Sequence, residues 1–241
     1  MDPVKILLIV TSHAVISASG EPTGVWFEEL STPYYAFSDA GYEVTVASIA
    51  GGEVPIDPRS RSNPEDMAES VKRFMEDNRA MAMISDTPSV TGINASDYNA
   101  VFFPGGHGTM WDFPDNPKLA EIITTFLEND RPVAAVCHGP AVFVGVNDNS
   151  GEPVVKGRKI SAFTNEEEEA AGLTDVVPFL LETRLKELGA KFVKAGEFQP
   201  MAVSDGNLMT GQNPASSKKL AQMVIDAVER KRDISKKAVG Q

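Results

Sequence analysis

Residues 131–143 read R-P-V-A-A-V-C-H-G-P-A-V-F, and this stretch decides the fold. Residues 132–136 form a short apolar run, the pattern of a strand buried on both faces of a parallel sheet. The run ends at Cys137, and in open α/β sheets the carboxyl end of a strand is where ligands gather. Gly139 permits a sharp turn, and Pro140 suits the first turn of a helix. A cysteine on such a strand-to-helix elbow projects above the sheet as a nucleophile. The positive end of the helix dipole beneath it favours thiolate, so the expectation is a depressed pKa for Cys137. A lone cysteine is more often a small buried hydrophobe. The C-H-G-P turn tells against that here.

Outward from the elbow the same alternation repeats. Residues 4–11 read as a buried first strand, 25–40 as a helix stopped by Gly41, and 42–49 as a second strand closed by Gly51 and Gly52. Residues 99–103 are a further strand, followed by P-G-G-H-G-T and a helix around 119–127. Strands at 159–162 and 191–193 and a hairpin over 201–210 follow, with helices at 177–188 and 215–230. Strands alternating with helices predict an α/β fold with a parallel sheet covered by helices. Residues 53–89 break the rhythm with Pro, Asp, Ser, Arg and Met and a polar helix near 66–79. They read as a small insertion lying over the sheet. With no internal repeat and no long linker, residues 1–230 read as one domain and 231–241 as a flexible tail.

Composition narrows the partners. The chain has 241 residues, 42% of them hydrophobic and 23% charged, the balance of an ordinary globular protein. A net charge of −12 disfavours nucleic acid and anionic membrane surfaces, which need a basic field. The single cysteine excludes an internal disulfide, so the fold implies no oxidising compartment. The apolar run at the start is too short for a secretory leader, and no stretch approaches the roughly 20 apolar residues of a membrane helix. The expected location is the cytoplasm.

Two more segments carry chemistry. In F-F-P-G-G-H-G-T, residues 102–109, the backbone N–H groups of Gly105 and Gly106 could turn toward a neighbouring oxyanion; alternatively the glycines make only a tight turn. His107 reads as a loop residue. In T-G-V-W-F-E-E-L-S-T-P, residues 23–33, adjacent Glu28 and Glu29 lie about 100° apart on a helix, so only one can face a given pocket. A first-turn glutamate is usually a solvated partner of the helix dipole.

These segments together resemble the ThiJ/PfpI superfamily, the class I glutamine amidotransferase-like fold, and within it the heat-shock chaperone and glyoxalase III branch. The resemblance rests on K-I-L-L-I-V-T-S, T-G-V-W-F-E-E-L, P-G-G-H-G-T-M-W-D, A-A-V-C-H-G-P, F-T-N-E-E-E, V-P-F-L-L-E and D-G-N-L-M-T-G-Q-N-P-A-S-S, in that order along nearly the whole chain. It implies a flavodoxin-like three-layer α/β/α sandwich. It implies Cys137 as nucleophile with His138 beside it, and Glu29 rather than Glu28 as the acid bonded to the cysteine. The acid orienting the histidine follows F-T-N, and Glu168 matches it best within the run 166–169.

The resemblance also implies a cofactor-free conversion of methylglyoxal to D-lactate without glutathione, with possible action on early glycation adducts. The protein would be a homodimer acting on a small reactive dicarbonyl. Cysteine amidase or peptidase activity is an alternative within the superfamily. A holdase role toward unfolded proteins is another, and would need exposed apolar surface around Met67, Met75, Met81 and Met83. Packing of these methionines onto the sheet is the reading favoured here. The chain has only His13, His107 and His138. With no histidine after His138, a late His–Glu pair for glutamine hydrolysis is missing. No histidine spacing suggests zinc, and G-H-G at 106–108 lacks the third glycine of a dinucleotide site, so neither metal nor cofactor is expected.

Overall fold

The first strand, β1 (Lys5–Val10), buries every residue after its lysine because it lies inside a sheet covered on both faces. A computed structural model describes residues 3–61, 65 and 67–239. In it β1 is flanked by β2 (Glu43–Ser48) and β3 (Ala100–Phe103). Beyond β3 come β4 (Val133–Val136), β8 (Leu208–Gly211) and β7 (Ala202–Asp205), giving the order β2-β1-β3-β4-β8-β7. All neighbours are parallel except β7 and β8, which form the hairpin expected near residues 201–210. The strands expected at 159–162 and 191–193 shorten to β5 (Lys159–Ile160) and β6 (Lys191–Phe192). They pair with each other in a separate small sheet.

Successive side chains of a strand face opposite sides, and the core divides accordingly. Ile6, Leu8 and Val10 join the cluster under α1 (Phe27–Asp39) and α8 (Ser217–Val239), while Leu7 and Ile9 join the cluster under α5 (Pro117–Glu128). The result is a three-layer α/β/α sandwich. Asn116 starts α5 by accepting the N–H groups of Lys118 and Leu119, with Pro117 at the first helical position.

The insertion lies against α1. Instead of one helix near 66–79 it forms α2 (Glu69–Glu76) and α3 (Asn78–Ser85), divided at Asp77, whose carboxylate caps α3. Phe74 anchors it, buried edge-on against Phe27 at 5.4 Å and Tyr34 at 5.2 Å. Met67, Met81 and Met83 pack against the same cluster, and Met75 is exposed. Pro58–Arg61 is a 3-10 turn, whereas residues 62–64 lie outside the described residues.

The tail departs from expectation. Helix α8 runs on past Arg230 to Val239, supported by Arg232 with Glu229 at 2.8 Å and Lys236 with Asp233 at 3.4 Å. No described helix is long and apolar enough to cross a membrane. Strand order reverses between β2 and β3 around β1, and the carboxyl ends of β1, β3 and β4 share one edge of the sheet. That edge is where a site belongs.

Candidate active site

Cys137 follows β4 with φ 60°, a left-handed conformation that an L-residue adopts at a cost of about 1–2 kcal/mol. Two backbone bonds hold it there. Its N–H donates to the Gly211 carbonyl at 2.9 Å, and its own carbonyl accepts from Phe163 N–H at 2.9 Å. The chain then enters a five-residue 3-10 helix, Gly139–Phe143, rather than the α-helix the elbow suggested. A Cβ on Gly105 would lie 2.7 Å from the His138 nitrogen and 2.6 Å from the Val136 carbonyl oxygen. Only glycine lets the loop after β3 come this close to the elbow.

The Gly105 N–H is already engaged, donating to Glu29 Oε2 at 2.7 Å. It is therefore not an oxyanion donor, which corrects the reading of Gly105. Gly106, one residue on, lines the cavity beside Cys137. Glu29, on the first turn of α1, is fully buried, and its other neighbour of consequence is the Cys137 thiol. Burial pushes the Glu29 pKa well above the usual carboxylate range against the pull of these two hydrogen bonds. Glu28 is not the glutamate at the sulfur. Burial also raises the Cys137 thiol well above its ordinary value, and the adjoining Glu29 adds to this. The expected depression of the Cys137 pKa is overturned because the sulfur is enclosed and only a short 3-10 turn follows it.

On the other side of the sulfur stands His138, its Nδ1 at 3.4 Å from Sγ. Its Nε2 meets Glu168 Oε2 at 2.7 Å. Glu168 projects from α6 (Asn165–Ala170), which begins with a capping box between Thr164 and Glu167. That box fixes the phase of the acidic run. Glu166 turns out to Lys194, Glu167 turns in to Asn213 and the Phe198 N–H, and Glu168 reaches His138.

His107, read from sequence as a loop residue, is part of the cluster. Its Nε2 meets Glu168 Oε1 at 2.7 Å, and its Nδ1 faces Arg59 Nη2 at 3.2 Å. A guanidinium only donates, so His107 Nδ1 accepts and Nε2 carries the proton given to Glu168. Arg59, which sequence reasoning also missed, is clamped by Asp57 through Nε at 3.0 Å and Nη2 at 2.6 Å. Burial pushes the Glu168 carboxyl up, but the electrostatic pull of the His138 and His107 rings and their two hydrogen bonds outweigh it and hold the pKa far below normal. Burial and the nearby His138 lower His107 to about 4.

His107, His138 and Glu168 thus offer three metal-ligand groups that histidine spacing did not suggest. The cluster opens on a cavity of about 300 Å³. Cys137, His138, His107 and Arg59 supply its polar side, and Trp26 and Phe198 are among its apolar walls. Cys137 and His138 face that space, with Glu168 holding His138 and the buried Glu29 adjoining the sulfur, an arrangement able to add a thiol to a carbonyl and move protons afterwards.

The sequence pattern of the DJ-1/PfpI family matches residues 23–227. The glutathione-independent glyoxalase HSP31 of Saccharomyces cerevisiae is 34% identical over 240 residues, covering 95% of this chain and all of the yeast protein. The crystal structure of glyoxalase III from Candida albicans superposes with a TM-score of 0.85 at 33% identity, over 93% of this chain and 97% of that one. Rapid Encystment Protein 24 KDa of Francisella tularensis superposes at 0.90 with 37% identity, over 93% and 99% of the two chains.

Proposed function

Because the chain belongs to the DJ-1/PfpI family, we propose that it is a glutathione-independent glyoxalase of the glyoxalase III type, converting methylglyoxal and water to D-lactate through Cys137. The observation that carries this reading is the placement of the sulfur between two unlike acid–base groups, His138 at 3.4 Å and the buried Glu29. The named relatives that share the fold over nearly their whole length support it.

His138 Nδ1 takes the thiol proton as sulfur adds to the aldehyde carbon, and protonated Glu29 gives its proton to the new oxyanion. The product is a hemithioacetal with Glu29 now ionised. Glu29 removes the hydrogen from that carbon, and His138 returns its proton to the ketone oxygen, giving a neutral enediol. Glu29 then delivers its proton to the second carbon while His138 takes one from the first hydroxyl, leaving a lactoyl thioester. Water attacks the thioester, giving its proton to Glu29, and the departing thiolate recovers the proton on His138. Both groups end as they began. Glu168 stays ionised throughout and holds His138 Nε2–H, so that Nδ1 always faces the sulfur.

The same cysteine and carboxylate would act on early glycation adducts, which present a similar carbonyl chemistry. The reading takes residues 1–230 as one catalytic unit, a homodimer in the cytoplasm, which sedimentation and fractionation would check. The test of the activity itself is methylglyoxal consumption by the purified protein without glutathione, with lactate as product. Cys137→Ala should lower the rate by about a thousandfold or more. Full turnover in that variant would overturn the proposal.

A further inference from the structure

One nitrogen from each of His107 and His138 and one Glu168 oxygen lie within 4.8 Å of one another, all buried. Two histidines and a carboxylate are a donor set that suits zinc. To bind a metal, however, an imidazole nitrogen must present a lone pair. Both Nε2 atoms face Glu168 at 2.7 Å, and an ionised carboxylate only accepts, so both nitrogens carry hydrogen. Each ring would have to move its proton to Nδ1 before it could ligate through the Nε2 that faces Glu168.

The two rings differ in whether they can. His138 Nδ1 faces Cys137 Sγ at 3.4 Å, and sulfur can accept a hydrogen bond. His107 Nδ1 faces Arg59 Nη2 at 3.2 Å, a group with hydrogens and no lone pair to offer. Moving the His107 proton to Nδ1 would set N–H against N–H. Arg59 cannot swing clear without stranding Asp57, whose buried carboxylate holds it by two side-chain bonds and also accepts from Thr23 Oγ1 at 2.9 Å. The fixed positive charge of Arg59 also opposes a divalent cation at the cluster.

We propose that Arg59 keeps the cluster of His107, His138 and Glu168 from taking up zinc, by locking the His107 proton on Nε2. The insertion thereby guards the cleft: without the Arg59 donor, the same residues form a zinc site. This holds whatever reaction the cleft performs, because it rests on tautomers and not on turnover.

The experiment is zinc binding by the full chain at neutral pH, with chelator competition for affinity and metal analysis after dialysis for stoichiometry. Arg59→Met should bind one zinc ion about tenfold to a hundredfold more tightly than the parent, the weight of one charge-assisted hydrogen bond. Adding His107→Phe should remove that gain, and cobalt substituted for zinc should show no thiolate charge-transfer band. Equal affinity in the parent and a folded Arg59→Met, or a gain that survives His107→Phe, overturns the proposal. A second measurement needs no variant. Nitrogen chemical shifts of the His107 ring in the parent should show a protonated Nε2 and a bare Nδ1, and the opposite tautomer would sink the idea. With three histidines in the chain, the assignment is tractable.

Discussion

Two buried glutamates flank the same Cys137 and His138 pair, and they are driven in opposite directions. Glu29 is 0% exposed and Glu168 is 2% exposed, so burial alone would raise both. Glu29 receives one backbone N–H and a thiol, with no cation beside it, and its pKa goes up. Glu168 receives an imidazole N–H on each oxygen, and the electrostatic pull of the two rings brings its pKa down. The difference teaches that enclosure sets only the starting point, and hydrogen-bond donors decide which carboxyl keeps its proton. One glutamate is thus equipped to give and take protons and the other to hold a base in place.

The contrast can be broken most sharply at Glu29. Glu29→Gln keeps an acceptor for Gly105 N–H but has no proton to exchange, so kcat for methylglyoxal should fall by about a thousandfold with the fold intact. Near-parental turnover would remove Glu29 from the chemistry. Next comes pH. His107 titrates near 4 in the fold against an ordinary 6.5, so the stability tied to its neutral ring is complete above about 6.5 and is lost as pH falls through about 4. On the order of 3 kcal/mol is at stake across that window. Denaturant melts at stepped pH should show the decline in the parent and a flatter curve in His107→Gln; identical curves would contradict it.

Glu168→Gln comes third. The amide still accepts from one imidazole but carries no charge, and kcat should drop by about a hundredfold, less than at Glu29. A larger loss than Glu29→Gln would reverse the assignment of the two carboxyls. The smallest effect belongs to Glu28→Gln. Glu28 is not the carboxyl at the sulfur, and a change beyond about twofold would mean it serves the chemistry after all.

The sequence made some of this legible and hid the rest for identifiable reasons. Helix geometry allows only one of Glu28 and Glu29 to face a given pocket, and it is the resemblance to the family, through the T-G motif, that points to Glu29. Glu168 could be named from F-T-N, but its phase within four consecutive glutamates needed the Thr164 capping box. The parallel sheet followed from its β-branched runs. The helical tail did not, because Lys, Asp and Ser beyond Arg230 read equally as a solvated coil and as a solvated helix. His107 and Arg59 stayed hidden because their contact spans 48 residues and joins the insertion to the sheet. A histidine between glycines beside the elbow strand was the one available signal. The thiol's environment was also out of reach, since a strand-to-helix motif does not reveal how long the helix is or how tightly the sulfur is enclosed.

The left-handed backbone at Cys137 has a consequence for how the protein can change. Position 137 is one that glycine would occupy without strain, while any other L-residue is held there by the bonds to Gly211 and Phe163. Cys137→Gly and Cys137→Ala should be equally inactive. The glycine variant should nevertheless be the more stable by about 1 kcal/mol, because alanine keeps the strain and glycine releases it. Chemistry and folding thus favour different residues at this position, and drift toward higher stability at this elbow would lead away from activity.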